Sequence, residues 1–365
     1  MKINNFLLER YFAKYEFSAK YLLSSSDCEA VSMNELLAMA SLDTLKLWDE
    51  LVLGYTESSG HPILKEMISS LYTNIEKDQI FVSAPAEAIF LITSAIVSRG
   101  DEVVVTTPSY QSLYEIAKSA GCKVNKWELV DNEDHWQIDL ERLKSLVNSK
   151  TKLIVVNFPH NPTGFLPTFD QYQEIINIAK ECEAYILSDE MYRYLEHGQK
   201  SLPAMADYYE KGISLSGLSK AYGLPGLRIG WLAMLDGDLM KRVQSLRDYT
   251  TICNSAPGEI LAMIGMENRE RLNVRAKNII QDNLNVWKSN KNILDQYLED
   301  KRVDAGPIGF FKFKTEFDYE HFINKTSTML VGGEQFETDR NYFRVGFGRL
   351  NFGEALEGFI KYLDI

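Results

Sequence analysis

Apolar runs at Glu102–Thr107, Lys152–Phe158, Tyr185–Ser188, Ile213–Ser216 and Ile229–Leu235 are short enough to be strands, and helical patterns separate them. Ala86–Ser98, Ser112–Ala120, Leu140–Val147 and Phe169–Cys182 carry apolar residues at helical spacing, so each can lay one face on a sheet. This alternation predicts an α/β fold on a mostly parallel sheet, with functional turns at the strand ends. Farther on, a helical stretch, Pro257–Leu298, leads out of the sheet region, and Gly306–Lys314 and Asn341–Phe347 read as strands. The expected division is a large domain at 46–265 and a smaller α+β domain made of 1–45 and 266–365. No internal repeat or flexible linker separates the two, which predicts a single rigid interface.

Composition narrows the partners. The chain has 365 residues, 45% of them hydrophobic and 25% charged, as in an ordinary globular enzyme. With 39 Lys and Arg against 51 Asp and Glu the net charge is −12, which disfavours nucleic acid or an anionic membrane as the main partner. No apolar run approaches transmembrane length, and the amino terminus, MKINNFLLERYFAKYEF, lacks the apolar core of a signal peptide. Cys28, Cys122, Cys182 and Cys253 stand far apart, so reduced thiols in the cytoplasm are expected rather than a disulfide framework or a zinc site. The five histidines form no ligand-spaced cluster, and no metal is expected.

Chemistry concentrates in ISLSGLSKAYGLPGLRIGW, Ile213–Trp231. Lys220 follows an apolar run between small residues, where a strand can deliver its amine to a cavity and the amine can condense with an aldehyde. Arg228, eight residues on, offers a planar fork of donors suited to a phosphate. A Lys–Arg pair alone reads more simply as a solvated turn. Three upstream segments change that reading. VVNFPHNPTG ends a strand in a turn at Asn161, where a cis bond to Pro162 is plausible; AYILSDEMYRY delivers Asp189 at a strand end with Tyr192 three residues on; FVSAPAEAIF runs a strand into a helix whose first amides can hold an anion.

Asn161, Asp189, Tyr192, Lys220 and Arg228, in this order and spacing, resemble the fold type I pyridoxal phosphate enzymes, specifically the class I/II aminotransferase family. The resemblance runs from GYTESSGHPILKEMI through TTPSYQS, NFPHNPTG, SDEMY and SKAYGLPGLRIGW to NYFRVGFG, and covers most of the chain. It implies a large domain with a seven-stranded, mostly parallel sheet between helices, and pyridoxal 5′-phosphate as cofactor. The implied activity moves an amino group from an amino acid to a 2-oxo acid through a Lys220 Schiff base and a quinonoid intermediate. By the same resemblance Asp189 keeps the pyridine nitrogen protonated, Asn161 and Tyr192 donate to the ring oxygen, and Tyr110 stacks on the ring. Arg344 grips the substrate carboxylate, and Tyr55 reaches the phosphate from the second subunit of a homodimer.

Two positions depart from the family pattern. Where relatives carry small residues whose amides hold the phosphate, this chain has Ala84, Pro85 and Ala86, and Pro85 has no N–H to give. Gly217 stands where many relatives have a serine, with Ser216 and Ser219 as candidate replacements. The amino-terminal loop YLLSSSDCEAVSM puts Ser25 and Ser26 at the substrate, followed by Asp27 and Glu29. Those acids either favour an amino acid with a cationic or polar side chain or cap a helix expected at Ser32–Ala40. The same motifs also resemble lyases on this cofactor, of the carbon–sulfur β-lyase or cyclopropane-carboxylate synthase type. A non-catalytic sensor on the fold ranks lower, because the pattern begins within the first tens of residues and leaves no room for a winged helix.

Overall fold

The computed structural model of the chain describes residues 2–364. Its centre is a seven-stranded sheet of β1 (Ile80–Ser83), β2 (Glu102–Thr107), β3 (Lys123–Glu128), β4 (Thr151–Asn157), β5 (Tyr185–Asp189), β6 (Gly212–Gly217) and β7 (Gly230–Met234), in the order β1-β7-β6-β5-β4-β2-β3. Only β7 runs against its neighbours; the pairs from β6 to β3 are parallel. Val103–Val105 and Leu153–Val156 are fully buried, as expected of β-branched and aliphatic strands covered on both faces. The covering helices include Pro85–Ile96, Ser112–Ser119 and Phe169–Glu181, the last started by a capping box between Thr168 and Gln171.

The second body of the fold is a four-stranded antiparallel sheet of Leu298–Glu299, Ile308–Phe313, Tyr342–Gly346 and Val331–Gly332, in that spatial order. Helices Tyr319–Thr326 and Phe352–Leu363 close an aromatic core in which Phe313 lies 4.1 Å from both Phe317 and Phe343 between ring centroids. The amino-terminal segment joins this part through Tyr21–Leu22, which pairs in parallel with Thr328–Met329. One apolar cluster runs from Leu218 and Trp231 of the large sheet through Leu284 and Trp287 to Phe311 and Phe347, so the two sheets share packed side chains.

Two expectations change. The helical stretch Pro257–Leu298 is three helices, Ala256–Glu267, Arg269–Ser289 and Lys291–Tyr297. Asn268 and Asn290 sit at the breaks with ψ of 17° and 6°, and each side-chain amide bonds a carbonyl one turn back, Ile264 and Val286 respectively. Asparagine competes with the helix ladder in this way, which apolar spacing does not register. The other change is β3, which alternation did not mark: it is an edge strand in which Trp127 alone is buried. No helix among the described residues is long and apolar enough to cross a membrane.

Candidate active site

Six of the seven strands end on one side of the sheet, and the turns after β1, β2, β4, β5 and β6 meet there. Register fixes the centre: Asn157 of β4 pairs with Asp189 of β5, which pairs with Leu215 of β6. Asn157 Nδ2 donates to the Asp189 carbonyl (2.9 Å) while its Oδ1 accepts the Asn161 N–H (2.7 Å), so this one amide locks two turns together. The Asn161–Pro162 bond is cis, as are Thr107–Pro108 and Phe158–Pro159. A cleft of about 350 Å³ opens above them; Pro85, Ala86, Tyr110, Asn161, Asp189 and Tyr192 line its floor and side, with Ser219, Lys220 and Arg228 beside them. The far wall is the amino-terminal helix Leu7–Tyr15 and the loop after it, through Glu9, Phe12, Glu16, Ser25, Ser26 and Asp27.

Lys220 Nζ donates to Ser26 Oγ at 3.0 Å. Burial pulls its pKa below the ordinary lysine value; Asp27 opposes this, and Arg344 adds to it. The amine is thereby moved toward the neutral, nucleophilic form. Burial also pushes the Asp189 carboxyl up to about 7, against the Met191 N–H and Lys220, which favour the carboxylate. Its protein contacts are thus too weak to hold it fully ionised, and a cation against it, such as a protonated ring nitrogen, fits what the site lacks.

The phosphate end presents unpartnered polar groups. Ser219 Oγ is buried on the cleft wall without a partner among the described residues. Pro85 opens its twelve-residue helix at the first position, and no side chain caps that end. Arg228, in the left-handed region at φ 55°, is exposed to the cleft with one bond, from Nη1 to the Pro225 carbonyl at 3.0 Å. These residues fit a phosphorylated ring aldehyde: an amine, a carboxylate needing a cation, and free donors at one end.

Arg344 is wholly buried one side chain behind the wall. Its Nε and Nη2 donate to the Ser24 carbonyl at 3.1 and 2.9 Å, and Nη1 donates to Asn161 Oδ1 at 3.0 Å. The last bond fixes the Asn161 amide so that Nδ2 remains the free donor. Tyr192 Oη donates to the Ser26 carbonyl at 2.9 Å, and Tyr110 Oη donates to Glu9 Oε1 at 2.8 Å. Tyr110 therefore ties the amino-terminal helix over the cleft as well as lining it.

Several expected residues lie elsewhere. Ser216 is not on the wall: it alternates with Leu215, which is, so the pleat turns it to the opposite face. Ala84 is the helix N-cap and is likewise off the wall. Tyr55, expected at a second subunit's phosphate and not in its own cleft, is 90% exposed and off this wall. Neither Asp27 nor Glu29 caps the next helix, Met33–Leu37, whose cap is the Ser32–Glu35 box. Asp27 pairs with Arg349 Nη2 at 2.9 and 3.0 Å, and Glu29 Oε2 accepts the Leu350 N–H at 3.0 Å. Asn157, Glu9, Phe12 and Glu16 escaped the sequence reading. The Asn157 signal was its place at the end of an apolar strand four residues before Asn161; the helix gave only an amphipathic pattern.

Residues 24–288 match the family described as aminotransferase class I and II. The chain belongs to this family. Capreomycidine synthase of Streptomyces vinaceus is 33% identical over 273 residues, 74% of this chain and 68% of that protein. A probable aspartate aminotransferase of Methanocaldococcus jannaschii is 26% identical across 89% of this chain and 90% of its own length. The crystal structure of a PLP-dependent aminotransferase from Streptococcus suis superposes with a TM-score of 0.89 at 31% identity, covering 100% of this chain and 98% of that one. The protein is a fold type I α/β enzyme, an aminotransferase whose cofactor is pyridoxal 5′-phosphate and whose substrates are an amino acid and an oxo acid.

Proposed function

We propose that this aminotransferase works through Lys220, whose amine would hold the cofactor aldehyde and would carry the proton that transfer requires. The bound cofactor supplies a ring able to accept electrons from the substrate α-carbon. The observation that carries the reading is the half-buried Lys220 amine, biased toward neutrality, in one cleft with the buried Asp189 carboxyl. Asp189 would hold the ring nitrogen, and Asn161 would offer its free Nδ2 to the ring oxygen. Tyr192 would offer its hydroxyl to the same oxygen in exchange for its bond to the Ser26 carbonyl. Ser219, Arg228 and the amides from Ala86 onward would hold the phosphate, and the Tyr110 ring would cover the cofactor. Arg344 keeps one unused N–H on each Nη for the substrate carboxylate, which settles beside Asn161, Ser25 and Ser26.

The working unit in this reading is a homodimer. Val52, Leu53 and Tyr55 are 80–90% exposed and Tyr249 is 91% exposed. The two segments lie together, because Glu259 accepts from Asn254 Nδ2 (2.7 Å) and from the His61 N–H (3.2 Å). Thr250 also bonds Glu87 in the first turn of the phosphate-end helix, so this patch borders the cofactor site. A second copy covering it would bring the partner subunit's Tyr55 toward the phosphate. Four free cysteines accord with a reducing cytoplasm.

The deciding experiment is absorption of the purified holoenzyme. A near-visible band that borohydride abolishes is expected, and Lys220→Ala is expected to lack it and to lose about 10²-fold or more in rate. A Lys220→Ala protein that keeps both band and rate sinks the assignment. The 33% identity to a synthase supports a second reading, lyase or synthase chemistry on the same residues. Pyridoxamine phosphate formed in one turnover, without ammonia release, favours transfer over that alternative.

A further inference from the structure

The cleft carries more negative charge than its chemistry uses. Its wall holds four carboxylates, Glu9, Glu16, Asp27 and Asp189, against two cations, Lys220 and Arg228. Asp189 is committed to the ring nitrogen and Arg228 to the phosphate on the reading above, while Asp27 is held by Arg349. Glu9 and Glu16 are left over. Tyr110 occupies only Oε1 of Glu9, and the Glu16 carboxylate has no hydrogen bond or ion pair among the described residues, its backbone N–H alone being bonded, to the Phe12 carbonyl.

These two acids share a helix face. Glu9, Phe12 and Glu16 are spaced i, i+3 and i+7 along Leu7–Tyr15 and its C-cap, and all three line the cleft. The Arg344 guanidinium lies 5.8 Å from the Phe12 ring centroid, which locates the apolar middle of this stripe next to the carboxylate-binding end. On the same wall, Ser25 is 2% exposed and its Oγ has no partner, an unused polar group aimed at whatever fills the space. Burial raises the Glu16 pKa, with Asp27 and Glu9 adding to it and Arg349 and Lys220 opposing it.

We infer that Glu9 and Glu16 select an amino donor with a cationic side chain, its carboxylate at Arg344, its methylenes along Phe12 and its amine or guanidine between the two acids. This rests on the active-site reading above. An aspartate or glutamate side chain would meet both carboxylates and be disfavoured.

The test is a single-turnover screen of the holoenzyme with L-arginine, L-lysine and L-ornithine, against L-norleucine as a neutral donor and L-aspartate and L-glutamate as acidic ones. At least one basic donor should exceed the neutral and acidic ones in kcat/KM by about tenfold, the scale of one charge-assisted contact. Glu16→Gln and Glu9→Gln should each shrink that basic-to-neutral ratio, while Glu16→Lys should move preference toward the acidic donors. Faster turnover of aspartate or glutamate than of every basic donor would overturn the inference, as would ratios unmoved by all three variants. A protein without the borohydride-sensitive band would instead defeat the active-site reading beneath it.

Discussion

The ring of Pro85 lies over Gly217: a Cβ at 217 would stand 3.2 Å from Pro85 Cγ and 3.0 Å from the Gly230 Cα. A Cβ at Gly230 would meet the same proline carbon at 2.7 Å. The chain's two departures from the family pattern are therefore neighbours in space, and a side chain at 217 would crowd the Pro85 ring as well as the backbone at Ile229 and Gly230. On the proposed reading, Ser219 and the later helix amides would therefore hold the phosphate in place of a side chain at 217 and the helix's first amide.

Gly217→Ser should thus destabilise the protein by about 1–3 kcal/mol through overpacking. Combining it with Pro85→Gly should recover part of that loss. Chemical denaturation of the four proteins in a double-mutant cycle measures the coupling. Strict additivity would show that ring and side chain do not compete.

Asp189 sets a pH dependence in the cofactor-free protein. Its native pKa of about 7 lies above the ordinary value of 3.8, so the folded state favours the protonated acid. The penalty for ionising it is absent below pH 3.8, grows as pH rises through the window to about 7, and is complete above it. Asp189→Asn should therefore raise stability relative to the parent at pH 8, by up to about 4 kcal/mol, and do little at pH 4. With cofactor bound the same substitution should cost catalysis, because the amide cannot hold the ring proton. Urea melts at both pH values check the first effect, and single-turnover rates the second.

Most of the large sheet was legible because parallel strands buried on both faces are apolar runs, and Val103–Val105 or Leu153–Val156 could be little else. Lys220, Asp189 and Asn161 were legible because strand ends and turn residues carry a local signature. What escaped is long-range. Nothing near Glu9 in sequence says that it will face Tyr110 across 101 residues, and no local pattern puts Phe12 beside Arg344. Ser216 failed for a subtler reason: a candidate chosen by proximity to Lys220 was turned away by the two-residue period of its strand.

Arg344 should answer to shape as much as to charge. Its fork bonds the Ser24 carbonyl twice and Asn161 once, so Arg344→Lys keeps a cation but loses the geometry. KM for the amino donor should rise by about tenfold to a hundredfold, with kcat falling less, since ground-state anchoring is what is lost. Steady-state kinetics decide it. Unchanged KM would mean that the carboxylate binds elsewhere.

The exposed arm offers the last test, because Val52, Leu53 and Tyr55 have no reason to be apolar unless something covers them. Leu53→Asp with Val52→Asp should shift the protein toward monomer in sedimentation, since a desolvated like-charge pair at a two-fold interface opposes itself. Activity should fall with the monomer fraction if the phosphate site is completed from across the interface. Tyr55→Phe separates the two roles: it should leave the dimer intact and weaken only cofactor retention, read as faster loss of the near-visible band on dialysis. A monomer that keeps full activity and its cofactor would show that each chain builds its own site.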